Sequence, residues 1–239
     1  MFQGKKILGL IPARGGSKGI PRKNLKNLCG KNLIEIALET AKYSSFIDEL
    51  IVSTEDTEIY TTSKNLGFKP PFIRPSQLAL DNSSSASVVN HALDFFRKNS
   101  RIFDICILLQ PTNPLRTTKM IDESIELLSN SDADSVVSIS DVGGNHPYRM
   151  YNIEKNYLKP LIKNDSPQIA RQLLPKIYIR SGDIYCFKSD VPMKYGDLIG
   201  KKSIPYIVGN QKTINIDDLN DLYLAERLFK NHKNEMPNM

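Results

Sequence analysis

Short apolar runs alternate along the chain with longer segments whose apolar residues recur every three or four positions. The runs that predict strands lie at residues 6–11, 49–53, 104–109 and 135–139. The segments of helical period lie at residues 32–44, 57–66, 85–98 and 118–128. Asp56 is placed to cap the second of these helices and Gly67 to end it. The alternation is typical of βαβ units, so it predicts a three-layer α/β fold with a mostly parallel sheet.

This regular alternation stops at residue 141 and resumes in the last third of the chain. There the pattern predicts strands at residues 183–188 and 204–208 and a helix at residues 218–230. Residues 141–176 contain only short alternating pieces, interrupted by Pro160 and Pro167. So long a stretch without a regular helix is uncommon in a compact domain unless it serves a site or an interface. We therefore predict one α/β domain, residues 1–140 and 177–239, with an inserted arm at residues 141–176.

The first predicted strand ends in a glycine-rich, strongly basic loop at residues 12–24. We expect its glycines to adopt dihedrals closed to other residues and to bring backbone N–H groups close to an anion. Positive charge is added by Arg14, Lys18, Arg22 and Lys23. The spacing fits neither the Gly-Lys-Ser/Thr phosphate loop nor the glycine pattern of dinucleotide-binding proteins. A different polyphosphate-binding loop is the prediction, and a glycine turn with solvated basic residues is the alternative.

Polar residues also lie near the predicted ends of other elements. Gln110 follows an apolar strand, where its amide could pair with a nucleobase edge or bond only to backbone. Arg74, Asp81 and Ser83 precede the helix at 85–98 and Ser85 begins it. Arg74 and the serines could hold a ribose or phosphate, or the serines could simply cap the helix. Because ligands of parallel sheets collect beyond the carboxyl ends of the strands, we expect Gln110 and the glycine loop to face one crevice.

Charged residues in the second half of the chain are further candidates. Residues 213–218 alternate like a strand and end in two carboxylates; Asp217 could bind a divalent ion and Asp218 could cap a helix. Arg171 and Arg180 lie at the transition from the arm to a strand. Their planar guanidinium groups suit a carboxylate, and an exposed basic hairpin is the alternative.

Composition narrows the class of protein. The chain has 239 residues, of which 40% are hydrophobic and 24% charged, as is ordinary for a globular protein. Its net charge of +6 suits anionic ligands, but the basic residues do not alternate with aromatics along a helix, which disfavours nucleic acid. Cys29, Cys106 and Cys186 are too far apart in sequence for a metal motif. With no signal peptide and no membrane-spanning apolar run, we expect a cytoplasmic protein without a membrane partner.

Five motifs, taken in order, resemble the acylneuraminate (CMP-sialic acid) cytidylyltransferases. The segments that carry the resemblance are 13–19 with Lys23-Asn24, Arg74-Pro75 with Leu78-Ala79 and Asp81, 108–116, Arg171-Gln172 with Leu174-Pro175, and Ile216-Asp217. The resemblance extends from Ile7 to Leu228. It implies a nucleotide-diphospho-sugar transferase-like, Rossmann-like fold with an extended dimerisation arm. It also implies a homodimer that uses CTP and Mg²⁺ to make a CMP-activated nonulosonic acid with release of pyrophosphate.

The same resemblance implies roles for individual residues. The nucleotide is expected to contact Ala13, Arg14, Gly15, Ser17, Lys18, Lys23, Asn24, Arg74, Asp81, Ser83 and Ser85. The acidic sugar is expected to contact Gln110, Arg171, Gln172 and Arg180. The catalytic residues are expected to be Arg14, Lys18, Lys23, Arg171 and Asp217, which act by positioning and charge neutralisation, with Asp217 as the magnesium ligand. No residue is indicated as the general base.

The chain departs from the family pattern at two positions. Asn215 stands where many members have the first aspartate of an Asp-Ile-Asp run, which leaves Asp217 as the matched metal carboxylate. Ile179 stands where many members have an arginine, and Arg180 comes one residue later, which in a strand reverses the face of the side chain.

The expected reaction is attack of the anomeric hydroxyl of an acidic nine-carbon sugar on the α-phosphorus of CTP. The sugar is expected to be of the sialic, legionaminic or pseudaminic acid type. A 3-deoxy-octulosonate cytidylyltransferase and a non-catalytic protein that binds CTP or a CMP-sugar are the alternatives.

Overall fold

A computed structural model describes residues 1–163, 170–209 and 213–235, with backbone only at Arg171 and residues 231–235. The strands are β1 (Ile7–Pro12), β2 (Asn27–Leu28), β3 (Lys31–Asn32), β4 (Glu49–Ser53), β5 (Ile105–Leu108), β6 (Ser135–Asp141), β7 (Tyr151–Glu154), β8 (Tyr157–Pro160), β9 (Tyr178–Lys188) and β10 (Ser203–Ile207). The helices are α1 (Leu33–Lys42), α2 (Thr57–Asn65), α3 (Ser85–Lys98), α4 (Thr118–Ser129), α5 (Val191–Tyr195) and α6 (Leu219–Glu235).

Six strands form one sheet in the order β10-β6-β9-β5-β1-β4. The pairs β1/β4, β1/β5 and β10/β6 are parallel, whereas β9 is antiparallel to both β5 and β6. The sheet is therefore mixed, with one antiparallel strand in its interior. The reason is the excursion between β6 and β9: it leaves at Asp141 and returns at Tyr178, which pairs with Asp141, so β9 runs back along β6.

Alternate residues of the central strands enter different hydrophobic layers. Ile105 and Ile107 of β5 pack with α1 and α4 on one face, and Cys106 and Leu108 pack with α3 on the other. Both layers are closed to water, since these four β5 residues are 0–2% exposed. The near-continuous apolar pattern of β5 follows from this burial on two faces, and the predicted three-layer α/β arrangement is confirmed.

Several predicted boundaries agree with the structure. β4 and α3 begin and end at the predicted residues, and Asp56 caps α2 by accepting from the backbone N–H groups of Glu58 and Ile59. Gly67 follows α2 with φ of +90°, a left-handed conformation that favours glycine.

The strand-like alternation at residues 213–218 does not correspond to a strand. The segment has no strand pairing, although Ile216 N–H donates to the carbonyl oxygen of Thr112 at 2.9 Å. Ile214 and Ile216 are buried in a third cluster beneath α6, together with Leu28 and Ala225. The alternation of apolar residues therefore reflects packing under a helix rather than a place in the sheet.

The excursion between β6 and β9 contains an exposed hairpin of β7 and β8. Its strands pair antiparallel, with Tyr151 opposite Pro160 and Ile153 opposite Leu158. Lys155 and Asn156 form the turn with positive φ, as two-residue hairpin turns require. Pro167 lies outside the described residues. The division into a domain and an arm stays a prediction. None of the helices in the described part of the chain is long and apolar enough to cross a membrane.

Candidate active site

A cleft of about 340 Å³ opens beyond the carboxyl ends of β1 and β5. The chain passes from β1 to β4 on one side and then to β5 on the other, so the strand order reverses where the cleft lies. Ligands of open α/β sheets bind at such a reversal. Among the predicted site residues, those that line the cleft are Arg14, Ser17, Lys23, Asn24, Arg74, Asp81, Ser83, Ser85, Gln110 and Asp217. The crevice expected between Gln110 and the glycine loop is therefore present.

Two of the three glycines of the loop, Gly15 and Gly19, allow close approach of neighbouring segments rather than unusual dihedrals. A Cβ on Gly15 would lie 2.3 Å from the Asp56 carboxylate, and one on Gly19 would lie 2.1 Å from the backbone oxygen of Asp217. Neither glycine has positive φ; the left-handed residue of this loop is Arg22, with φ of 58°. The expectation about the dihedrals was wrong because the constraint here is contact with neighbouring segments.

The start of the loop is fixed by hydrogen bonds to neighbouring segments. Ala13 N–H donates to the Ser53 carbonyl at 3.0 Å, and Gly15 N–H donates to Glu55 Oε1 at 2.8 Å. The Asn24 side-chain amide donates to the Arg14 carbonyl at 2.9 Å, which closes the loop on itself. Ala13 is buried, and neither Ala13 nor Gly15 is among the described residues that line the cleft. Both residues hold the loop in place.

Two cations of the loop share one carboxylate. Asp81 pairs with Arg14 Nη1 at 2.9 Å and with Lys18 Nζ at 2.8 Å. The hydrogen bond from Lys18, followed by that from Arg14, lowers the pKa of Asp81. The Lys18 side chain is 83% exposed, and Lys18 is not among the described residues that line the cleft, so its link to the cleft is its pair with Asp81. The carboxylate of Asp81 thus holds two positive groups where an anionic ligand would enter.

Lys23 connects the glycine loop to the segment that carries Asp217. Its side chain is only 13% exposed, and its ammonium donates to the Ile216 carbonyl at 2.8 Å and to Asp217 Oδ1 at 3.0 Å. Two segments almost two hundred residues apart therefore meet at one cation.

Asp217 fits the requirements of a single magnesium carboxylate. It is 70% exposed, lines the cleft, and accepts from Lys23 on one oxygen and from the Asn215 amide on the other at 2.6 Å. Mg²⁺ usually binds one or two protein carboxylates together with phosphate oxygens and water, which an exposed carboxylate facing a basic cleft permits. Asp218 has a separate role, since its carboxylate accepts from Asp221 N–H at 3.0 Å and caps α6.

The serines before α3 divide between capping and the cleft. Ser84 caps the helix by accepting from Ser87 N–H at 3.1 Å, whereas Ser83 and Ser85 line the cleft. The Ser83 hydroxyl donates to the Gln77 carbonyl at 2.7 Å, which ties the segment to the residues after Arg74. Capping is therefore the role of Ser84, and contact of Ser83 and Ser85 with a ribose or phosphate stays a prediction.

A second pocket of about 250 Å³ adjoins the cleft, and we name it the side pocket. It shares Ser85 and Gln110 with the cleft and adds Arg180, Tyr185 and Asp197. Burial raises the pKa of Tyr185. The Arg180 side chain, whose direction the sequence left open, is thus at a pocket wall beside Gln110.

The remaining predicted residues lie on the excursion. Arg171 and Gln172 belong to a single 3₁₀ turn, Arg171–Leu173. Gln172 is exposed, and it is not among the described residues that line either pocket. The Arg171 side chain lies outside the described part of the structure.

A buried polar network behind Gln110 had no role in the sequence interpretation. Arg116 donates to the Gln110 carbonyl, and the Asn113 amide donates to the Ser181 carbonyl at 2.9 Å. Thr213 donates to Asp183 at 2.6 Å. Burial lowers the pKa of Arg116 to about 10 and raises that of Asp183. These bonds fix the backbone of Gln110 relative to β9 and to the segment before Asp217.

Comparison with known proteins identifies the family. The family model described as "Cytidylyltransferase" matches residues 8–233. The chain belongs to the cytidylyltransferase family. This cytidylyltransferase is 29% identical over 230 residues to a pseudaminic acid cytidylyltransferase of Campylobacter jejuni, covering 95% of this chain and 98% of that one. It is 30% identical over 227 residues to a CMP-N,N'-diacetyllegionaminic acid synthase of Legionella pneumophila, covering 94% of this chain and 97% of that one.

The fold is shared with more distant proteins. A solved structure of CMP:2-keto-3-deoxy-manno-octonic acid synthetase in complex with CTP has a TM-score of 0.68 to this cytidylyltransferase at 18% identity, covering 95% of this chain and 99% of that one. At this identity the similarity shows the Rossmann-like α/β fold alone.

Proposed function

We propose that this cytidylyltransferase transfers CMP from CTP to a nonulosonic acid, with release of pyrophosphate. The observation that carries the proposal is that two pockets adjoin. Gln110 and Ser85 line both the basic cleft and the side pocket, and the side pocket also contains Arg180. The names of the Campylobacter and Legionella relatives support an acceptor of the pseudaminic or legionaminic acid type. Sialic acid is a nine-carbon acidic sugar of the same class, and the proposal includes it among the acceptors.

The cleft has the chemistry that CTP requires. Arg14 and Lys23 line its loop side and Lys18 pairs with Asp81 there, so all three supply positive charge. Gly16 also lines the cleft and has open space around it, which allows the phosphates close approach. Gln110 offers a donor and an acceptor to a base edge. Asp217 would hold Mg²⁺, which when bound neutralises the charge of the phosphate oxygens.

The side pocket suits an acidic acceptor. Arg180 can donate to both oxygens of a sugar carboxylate, while Tyr185 offers a hydroxyl. Because the side pocket opens beside Gln110, an acceptor held there faces the nucleotide in the cleft. Its anomeric hydroxyl releases its proton to solvent as its oxygen forms a bond to the α-phosphorus, and the bond from that phosphorus to the bridging oxygen breaks. The leaving group is pyrophosphate, and catalysis depends on positioning and on charge neutralisation by the cations of the cleft.

The experiment that tests this function is a panel of pyrophosphate-release assays. CTP, UTP, GTP and ATP are each combined with pseudaminic, legionaminic and sialic acids and with 3-deoxy-octulosonate. We expect turnover with CTP and at least one nine-carbon acid. Turnover with 3-deoxy-octulosonate alone would establish the shorter sugar as acceptor, and CTP binding without turnover on any sugar would identify a non-catalytic binding protein.

The proposal includes a homodimer formed through the β7–β8 hairpin. Cross-strand pairing puts Tyr151, Ile153, Leu158 and Pro160 on one face, and Ile153 and Leu158 are 76% and 70% exposed. The opposite face carries the ion pair between Lys159 and Glu154 at 2.8 Å. An exposed apolar face backed by a charged one is suited to burial against another protein surface, here a second copy of the chain.

The variant with Ile153→Lys and Leu158→Lys is expected to be monomeric. Two buried charges in an apolar interface would have no partners, so association should fail while the α/β domain stays folded. Sedimentation equilibrium across a concentration series measures the change. The matched control carries Asn152→Lys and Tyr157→Lys on the opposite face of the hairpin. A dimer that survives the first substitutions would place the interface elsewhere.

A further inference from the structure

Glu55 lies between β4 and α2 and had no role in the sequence interpretation. Its Oε1 accepts from Gly15 N–H at 2.8 Å, and its Oε2 accepts from Arg74 Nη2 at 2.6 Å. Glu55 itself is not among the described residues that line the cleft, whereas Arg74 is. One carboxylate therefore connects the beginning of the glycine loop to an arginine of the cleft wall.

The contact between Glu55 and Arg74 is largely shielded from water. The side chain of Arg74 is 3% exposed and that of Glu55 is 19% exposed. Arg74 N–H also donates to the Thr54 carbonyl at 2.8 Å, so the backbone of Arg74 is attached next to Glu55. A buried ion pair with these additional hydrogen bonds allows little freedom to either side chain.

The neighbouring carboxylate holds the other end of the loop. Asp56 accepts from both terminal nitrogens of Arg22, and the hydrogen bonds from Arg22 lower the pKa of Asp56. The absence of a side chain on Gly15 lets the loop lie directly on Asp56. The turn between β4 and α2 therefore contacts the loop at two points, at Gly15 through Glu55 and at Arg22 through Asp56.

We infer that Glu55 is a positioning residue for the transfer reaction. Its carboxylate holds Arg74 and the Gly15 amide in one fixed arrangement. This inference rests on the proposed function of the cleft. Glu55 acts through Arg74 and Gly15 and does not touch the nucleotide. Its carboxylate sets the distance between two parts of the cleft that come from separate segments of the chain.

The first test is Glu55→Gln. The glutamine oxygen can still accept from Gly15 N–H, but the amide NH2 then faces Arg74 Nη2, so the change removes both the charge and the hydrogen-bond acceptor of Arg74. We expect kcat to fall by about tenfold, since small displacements in a cleft of this kind slow a reaction that depends on positioning. Removing an anion beside a polyphosphate site would by charge alone strengthen CTP binding. If kcat falls while the dissociation constant for CTP stays the same or decreases, the loss is therefore one of positioning and not of binding.

The matched control is Glu49→Gln. Glu49 pairs with Arg101 at 2.7 Å at the opposite end of β4. The variant therefore loses a partly buried ion pair at a distance from the cleft. Its kcat should equal that of the wild type. Wild-type turnover in the substrate panel is measured first, so that failure of the proposed function and failure of this inference are separate results.

The second test compares Arg74→Gln with the double variant Arg74→Gln/Glu55→Gln. Neither variant of this pair retains the buried Arg74 guanidinium, which Glu55→Gln alone leaves without its carboxylate, so the comparison stays possible if Glu55→Gln alone fails to fold. If Glu55 acts through Arg74, the second substitution changes kcat by less than about twofold. A further tenfold loss would show that Glu55 acts independently of Arg74. A wild-type kcat in folded Glu55→Gln would equally overturn the inference.

Discussion

Replacing Lys23 with alanine is expected to lower kcat by about a hundredfold or more, the largest effect of any single change in the cleft. The Lys23 ammonium is nearly buried, and it contacts both the Ile216 carbonyl and the Asp217 carboxylate. The variant loses a charge that would face the phosphates and also the contact that holds the Asp217 segment against the glycine loop. Steady-state pyrophosphate release measures the loss, and circular dichroism checks the fold.

Lys26→Ala is the control for Lys23→Ala. Lys26 lies three residues later and is exposed, and it is not among the described residues that line the cleft. The substitution removes one positive charge from the same region but none from the cleft. The kcat of Lys26→Ala should therefore stay close to that of the wild type. If Lys23→Ala retained turnover within about threefold of the wild type, Lys23 would have no place in the mechanism.

The cations around the cleft are each paired with a carboxylate in this structure. Arg14 and Lys18 pair with Asp81, Lys23 pairs with Asp217, and Arg74 with Glu55. The pairs differ in burial. Asp81 is 51% exposed, so an entering phosphate displaces it at little cost, whereas the pair of Arg74 and Glu55 is shielded. We therefore expect the triphosphate to compete with Asp81 and to leave Glu55 in place.

The elements that could be predicted from sequence are those with a local pattern. β4 and α3 were predicted to the residue because burial on fixed faces imposes a period on the sequence. The same reasoning failed at residues 213–218, where alternating burial comes from packing under α6. The reversed direction of β9 also had no local signal, since it depends on where the excursion returns to β6.

The candidate site divides in a similar way. Arg14, Lys23, Gln110 and Asp217 could be proposed because they lie at loop positions beside recognisable motifs, and the structure brings all four to one cleft. Glu55 and Asp183 could not be found, because each acts through contacts with residues far away in sequence. A carboxylate after a strand looks the same in sequence whether it is solvated or holds an arginine.

Asp217→Asn is expected to raise the Mg²⁺ concentration needed for half-maximal rate by about tenfold or more, and to lower kcat at saturating metal. The amide keeps the size of the side chain but loses the negative charge that a hard divalent ion prefers. Asn215 is already neutral at the other position of this short segment, so the variant leaves the segment without a carboxylate between Thr213 and Asp217. Loss of the pair with Lys23 would by itself lower kcat without moving the metal curve.

The shape of the Mg²⁺ titration therefore separates the two roles of Asp217. The control is Asp218→Asn, which makes the same charge change one residue away and keeps the cap of α6, because asparagine caps helices as well as aspartate does. Its Mg²⁺ curve should match that of the wild type. A wild-type Mg²⁺ curve for Asp217→Asn, with only kcat lowered, would remove Asp217 as a metal ligand and leave it as the partner that holds Lys23 against the cleft.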